Sequence, residues 1–155
     1  MSSEHQTENE RVERHPDWEQ RLVAFLKEHQ DQPFEWGTHD CGIFVAQCLE
    51  VIKPVSVLPY LQNKFASKEE ADQFIENHGG TLESVASEFL GKPIPRMLLR
   101  RGDIAIGKFF SPSLQRLYGP EAETFALCMG HQCVTVGDTE LVYKPLLNAR
   151  VGWYV

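Results

Sequence analysis

The chain has 155 residues, of which 42 % are hydrophobic and 24 % are charged. These values are typical of one globular domain and argue against a collagen-like, low-complexity or wholly disordered chain. The net charge of -7 disfavours a protein whose whole surface binds nucleic acid. No apolar core of a secretion signal occurs in the first twenty residues, and no apolar run is long enough to span a membrane, so we expect a cytoplasmic protein.

The N-terminal third predicts an arm followed by two helices. Residues 1–14 are polar and lack apolar periodicity, which is typical of a flexible arm, with one domain over residues 15–155. A first amphipathic helix of about 14 residues follows from Pro16, because side chains recur at helical spacing: Trp18, Leu22, Phe25, Leu26 and His29. Residues 31–38 contain a proline and a glycine and predict a loop, which leads into a second helix beginning near Asp40 or Cys41.

The rest of the chain changes from helical to extended patterns. Ser67 to Glu70 predicts the capping box of a third helix, and Thr81 predicts the cap of a fourth that ends at Gly91. Residues 92–95 predict a loop. Short strands are then expected, with a hairpin turn at Gly137 and Asp138: residues 104–106, 125–129, 133–136, 141–143 and 151–155. Helices followed by a meander of strands indicate an α+β fold with an antiparallel sheet.

The most informative stretch is the loop before the second helix, which places Cys41 in the first turn of an apolar helix. Free backbone amides and the positive end of the helix dipole stabilise a thiolate, so this position favours a reactive cysteine of lowered pKa. Asp40 can serve as the N-cap of the helix. The alternative is that Cys41 is a small buried residue of an apolar stripe.

Four motifs together resemble an uncharacterised family of small phage and prophage proteins that is related to the NlpC-type cell-wall cysteine peptidases. They are Trp36-Gly37 with Asp40-Cys41, Arg101-Gly102-Asp103-Ile104 before a strand, Met129-Gly130 after a strand, and the terminal Gly152-Trp153. The resemblance covers the chain from about residue 16 to its end. It implies a papain-like fold, in which N-terminal helices pack on a small antiparallel sheet.

The resemblance also implies catalytic roles. Cys41 stands at the position of the nucleophile, but Thr124 stands where these enzymes carry the histidine base, and Thr135 or Val136 falls near the orienting position. A threonine is no base near neutral pH. The alternative bases are His39, two residues before Cys41, and His131, which we expect in a hairpin turn about 23 Å along the strand from Thr124.

Further candidates complete the predicted site. Trp36, Gly37 and Arg101 are the candidate substrate-binding residues, although Trp36 can equally pack the loop on the core. The pattern Cys128-x-x-His131-x-Cys133 has metal-binding residue types without a standard zinc spacing, so no metal and no cofactor are expected.

Two functions follow from the resemblance. The first is a cysteine hydrolase that cuts an amide bond, with a peptidoglycan peptide as substrate and an acyl-enzyme at Cys41. The second is a degenerate relative that serves a phage particle, in contact with its structural proteins, as a binding or assembly component, either in the cytoplasm or in the virion. The segment 92–116 carries six basic residues against one acid, which indicates either a solvated loop region or a contact surface for an anionic partner.

Overall fold

A computed structural model describes residues 12–155. This part of the chain has α+β architecture, with five α-helices and a six-stranded antiparallel sheet. The helices are α1 (Trp18–His29), α2 (Cys41–Ile52), α3 (Lys68–Asn77), α4 (Leu82–Leu90) and α5 (Pro112–Tyr118). The strands are β1 (Ile94–Pro95), β2 (Ile104–Gly107), β3 (Thr124–Cys128), β4 (Gln132–Val136), β5 (Leu141–Pro145) and β6 (Ala149–Trp153).

The predicted helix starts are confirmed by their caps. The Asp40 side chain accepts a hydrogen bond from the Ile43 amide at the start of α2, and the Ser67 side chain accepts one from the Glu70 amide at the start of α3. α4 begins with a reciprocal capping box between Thr81 and Ser84. Each cap satisfies amides that have no partner inside the helix, which is why these polar residues mark helix starts in the sequence.

The sheet order is β1-β6-β2-β3-β4-β5, and all the pairings are antiparallel. β3, β4 and β5 follow one another as hairpins, and the turn at Gly137 and Asp138 joins the last two as predicted. β6 returns to lie between β1 and β2. β2 and β3 therefore lie at the centre of the sheet, and β3 begins at Thr124.

Both faces of the sheet are covered. One face packs against α1, α2 and α4 and forms the main core, to which β3 contributes Phe125 and Leu127. The other face forms a second, smaller cluster that includes Ala126, Cys128 and Cys133. This alternation follows from the two-residue repeat of a strand. α2 is apolar around most of its circumference and packs against this sheet, against α1 and, through a third cluster, against Leu61, Phe65 and Ala71, as expected for a central helix.

Two elements depart from the prediction. Residues 92–95 are expected to form a loop, but Ile94 and Pro95 pair with β6 as the short edge strand β1, a position where proline is tolerated because its missing N–H faces no partner. α5 is not predicted at all. It has only seven residues, and its N-cap Ser111 makes no side-chain hydrogen bond. Both the length of the helix and its capping residue are therefore weak signals in the sequence.

The predicted arm lies mostly outside the described residues, which begin at residue 12. Its last residue, Arg14, is bound to the domain: its guanidinium donates to the Val155 carbonyl at 2.9 Å, to the Arg101 carbonyl at 2.8 Å and to Asp103 at 3.0 Å. Residue 14, which the prediction places in the arm, therefore contacts the described fold. Among the described residues, no helix is long and apolar enough to cross a membrane.

Candidate functional site

The loop before α2 is held in place by the Asp40 carboxylate. One oxygen of Asp40 accepts from the Gly37 amide at 2.7 Å, and the other accepts from the Ile43 amide at 2.9 Å. Gly37 has a positive φ of 80°, and a Cβ on it would collide with the Phe65 carbonyl. Asp40 and Gly37 thus shape the turn that presents Cys41. Desolvation raises the pKa of the Asp40 carboxyl, while its amide donors act against this.

Cys41 is the first residue of α2 and is partly buried against the main core. Desolvation, and next the negative charge of Asp40, raise the pKa of the Cys41 thiol to about 11. The Thr124 hydroxyl and the backbone amides of Phe125 and Gly42 stabilise the thiolate and oppose this shift. The expected lowering of the pKa by the helix N-terminus is therefore outweighed by burial.

Thr124 begins β3 beside Cys41, the place that the resemblance assigns to the catalytic base. It is 1 % exposed, so its hydroxyl lies inside the protein. On the neighbouring strand, the Thr135 hydroxyl donates to the Phe125 carbonyl at 2.7 Å. Thr124 at the position that the resemblance gives to the base, and Thr135 or Val136 near the orienting position, are all side chains without an imidazole.

His39 lies in the protein interior. It is completely buried, and neither ring nitrogen has a hydrogen-bond partner. The Cys41 sulfur is therefore not hydrogen-bonded to this ring. The His39 ring is stacked on His29 at a centroid distance of 6.0 Å and lies edge-on to Phe44 at 6.2 Å. Desolvation, and next the proximity of His29, lower the pKa of His39 to about 4. His39 is a neutral core residue and is not positioned to take a proton from Cys41.

His131 and Arg101 lie at the opposite end of β3 from Cys41. His131 is exposed in the turn that joins β3 to β4, as predicted. Arg101 is exposed and precedes Gly102, whose amide donates to the carbonyl of Cys128, the last residue of β3. The four residue steps of β3 separate that end from Thr124 by about 13 Å. The structure brings neither residue to the thiol.

An apolar cavity of about 100 Å³ extends from Cys41 between α2, α3, α4 and the sheet. Its walls include Val45, Phe74, Phe89 and Phe125. Trp36 also lines it and contacts the rings of Phe34 and Tyr118 edge-on. Trp36 therefore packs the loop against neighbouring aromatic rings and also borders the cavity beside the thiol.

The polar groups of this cavity are few. Among the lining residues, polar side-chain atoms come from the Trp36 indole, Asp40 and Cys41, and both Asp40 oxygens are already engaged by amides. That α3 and α4 line this cavity was not predicted from the sequence. The apolar pattern of a helix shows which side is buried, but it does not show where the packing against other elements leaves a cavity.

The remaining candidates are the metal-binding residue types and the basic segment 92–116. Among the described residues, no group of three or more metal-binding side chains comes together. In the basic segment, Arg96 donates to the Leu147 and Ala149 carbonyls, and Lys108 pairs with the exposed Glu121. The Arg100 guanidinium lies over the Tyr154 ring at 5.2 Å. Part of this positive charge therefore serves contacts within the chain.

The model of one protein family, described as "Domain of unknown function (DUF6950)", matches residues 13–155. The chain belongs to the DUF6950 family. The match covers all the elements described above, so Cys41, its loop and both faces of the sheet are part of the DUF6950 domain. Neither the curated proteins nor the solved structures contain a match to this chain.

Proposed function

We propose that this DUF6950 domain is a catalytically degenerate relative of the NlpC-type cysteine hydrolases, with a papain-like fold, that acts as a binding or assembly component of a phage particle. The observation that carries the proposal is the neighbour of the Cys41 thiol, which is the Thr124 hydroxyl and not an imidazole. The phage setting rests on the resemblance of the sequence motifs.

The chemistry of amide hydrolysis explains why this neighbour matters. A cysteine nucleophile must lose its proton, and the leaving amine must gain one, so a group that titrates near neutral pH has to lie within hydrogen-bond reach. Thr124 and Thr135 do not titrate in that range. His39, the histidine nearest to Cys41 in the sequence, has ring nitrogens without any partner.

The cavity beside Cys41 supports the same proposal. A peptide substrate brings amide N–H and C=O groups, and each of these loses free energy when it is buried without a partner. The cavity offers apolar walls, and its carboxylate is already engaged. It suits an apolar group of a binding partner better than a peptidoglycan peptide.

The test is turnover of peptidoglycan fragments by the full chain, with Cys41→Ser as the matched blank. We expect product formation by the wild type to equal that of Cys41→Ser over pH 6–9, with both proteins folded by circular dichroism. Cleavage by the wild type at a rate at least tenfold above the blank would overturn the proposal.

The second candidate function is an active cysteine hydrolase, and one observation favours it. Cys41 begins a helix, and the amides of Gly42 and Phe125 are placed to stabilise negative charge on its sulfur. Amides in this arrangement can also stabilise an oxyanion. If this candidate is right, hydrolysis depends on Cys41 and uses water or the substrate itself for proton transfer.

A further inference from the structure

Cys128 and Cys133 face each other across the β3–β4 hairpin. Cys128 ends β3, and the strand register places it directly opposite Cys133 on β4. The amide of Cys128 donates to the Asp103 carbonyl at 2.8 Å, and its carbonyl accepts from the Gly102 amide at 2.8 Å. Its backbone bonds therefore point away from β4, so the two cysteines form a pair without backbone hydrogen bonds between them.

This kind of pair has the spacing that a disulfide needs. In antiparallel strands, the Cα atoms of such a pair are about 4.5 Å apart and the side chains approach most closely. Disulfides span Cα distances of roughly 4.4–6.8 Å. Cys128 and Cys133 also point to the same face of the sheet, since both belong to the second core cluster.

The thiols already interact in the reduced state. The Cys128 thiol donates to the Gly130 carbonyl at 3.7 Å, and the neighbouring Cys133 thiol lowers the pKa of Cys128, while the presence of Cys128 raises that of Cys133. Both side chains are buried, at 0 % and 1 % exposure, so a peroxide reaches them when the adjacent turn with the exposed His131 opens. The other two cysteines lack such a partner: Cys41 and Cys48 are two helical turns apart on α2, about 10 Å, which is too far for a disulfide.

We propose that Cys128 and Cys133 are a redox-active dithiol that closes to a cross-strand disulfide when a peroxide oxidises it. The Cys128 thiolate attacks one peroxide oxygen, so that an S–O bond forms, the O–O bond breaks and hydroxide leaves. The Cys133 thiol then loses its proton and attacks the Cys128 sulfur, which forms the S–S bond and expels the second oxygen as hydroxide, protonated to water. Two thiols are oxidised by two electrons, and a dithiol reductant reverses the change.

The device does not depend on the proposed function, because it lies at the other end of β3 from Cys41. Its effect is to join β3 and β4 covalently beside the turn. Since both strands contribute to the main core as well as to the second cluster, oxidation stiffens the sheet on which the Cys41 site rests.

The test treats the folded full chain with hydrogen peroxide at neutral pH and locates the modified cysteines by peptide mapping after alkylation. We expect the wild type to lose two of its four thiols, with a Cys128–Cys133 disulfide that dithiothreitol reverses. The double variant Cys41→Ser, Cys48→Ser keeps the pair and should lose both of its thiols.

A second variant separates the steps. In Cys133→Ser the resolving thiol is absent, so Cys128 should stop at the sulfenic acid, which dimedone traps. Four unmodified thiols in the treated wild type, a disulfide between other cysteines, or a Cys128–Cys133 bond that forms only in denaturant would each overturn the proposal.

Discussion

At Cys41 two electrostatic effects act in opposite directions. A helix N-terminus favours an anion by about 0.3–1 kcal/mol. Burial and the Asp40 charge raise the thiol pKa from 9.0 to about 11, which corresponds to about 3 kcal/mol against the thiolate. Burial therefore decides the outcome, and the position in the helix alone does not make this cysteine reactive.

An imidazole at position 124 should activate the Cys41 thiol. Thr124→His places a proton acceptor beside Cys41, so a thiolate–imidazolium pair can form and the thiol pKa should fall. We expect the rate of Cys41 alkylation by iodoacetamide at pH 7 to rise at least tenfold. The matched control is Thr124→Val, which keeps the volume, removes the hydroxyl and should not raise the rate. An unchanged rate in a folded Thr124→His protein would contradict the assigned neighbourhood of the thiol.

His39 should make the fold sensitive to acid. Its pKa is lowered from 6.5 to about 4 in the folded protein, so between these values the unfolded chain binds a proton that the folded protein does not. Stability from this group is complete above pH 6.5 and decreases as the pH falls to 4, by about 3 kcal/mol in total. Urea unfolding between pH 7 and pH 4 measures this slope.

The variant His39→Phe keeps a ring beside His29 and Phe44 but cannot be protonated. The free energy of unfolding should then change about 3 kcal/mol less between pH 7 and pH 4 than in the wild type. The control His131→Gln alters an exposed turn histidine and should retain the wild-type slope. If the slopes of wild type and His39→Phe agree, His39 is not the buried neutral group described here.

Among the secondary-structure elements, helix starts fixed by local hydrogen bonds could be predicted, whereas elements fixed by long-range packing could not. The starts of α2, α3 and α4 could be predicted because Asp40, Ser67 and Thr81 bond to amides within three residues of themselves. The central strands could be predicted from their apolar runs. α5 and β1 could not, since one lacks a side-chain cap and the other consists of two residues held by β6.

The same distinction holds for the site. The Asp40-Cys41 turn and the threonine at position 124 could be read from the sequence, and the structure places Thr124 beside Cys41. The burial of His39 could not be read, because it depends on how α1 packs against α2. The pairing of Cys128 with Cys133 has a signal in the sequence, because both residues flank a short turn and lie opposite each other once the hairpin is in register.

The N-cap of α2 should be worth more than an exposed cap. Asp40→Ala leaves the amides of Gly37 and Ile43 without their acceptor in a buried loop, so we expect a loss of about 2–4 kcal/mol in the free energy of unfolding. Ser67→Ala removes the exposed cap of α3 and should cost about 1 kcal/mol. Urea denaturation of both variants measures the difference, and equal losses would argue against the double role of Asp40.

Across the whole molecule, Asp103 connects the two ends of the described chain. It is fully buried, and it accepts from Arg14 at 3.0 Å, from the Val155 amide at 3.0 Å and from the Arg100 amide at 2.8 Å. Its neighbour Ile104 begins the central strand β2. The segment that precedes α1 and the C-terminus are thereby joined to the middle of the sheet.

Removing this connection should destabilise the domain as a unit. Asp103→Ala leaves the partly buried Arg14 guanidinium without its counter-ion and two amides without their acceptor, so we expect a loss of about 2–4 kcal/mol in the free energy of unfolding. The control Asp72→Ala breaks the exposed pair with Lys68 and should change stability by less than about 0.5 kcal/mol. Thermal unfolding of both variants gives the comparison, and a small effect of Asp103→Ala would mean that the two ends of the chain are held by other contacts.

The degenerate character of the Cys41 site is tested most directly by the pH dependence of its alkylation in the folded wild type. The rate of carboxamidomethylation at Cys41 is followed by peptide mass spectrometry, with Cys41→Ser as the blank. A thiol with a pKa of about 11 should react about ten times faster for each added pH unit between pH 6 and pH 9, without levelling off. A rate that reaches its plateau below about pH 8 would show an activated thiolate and contradict the proposal.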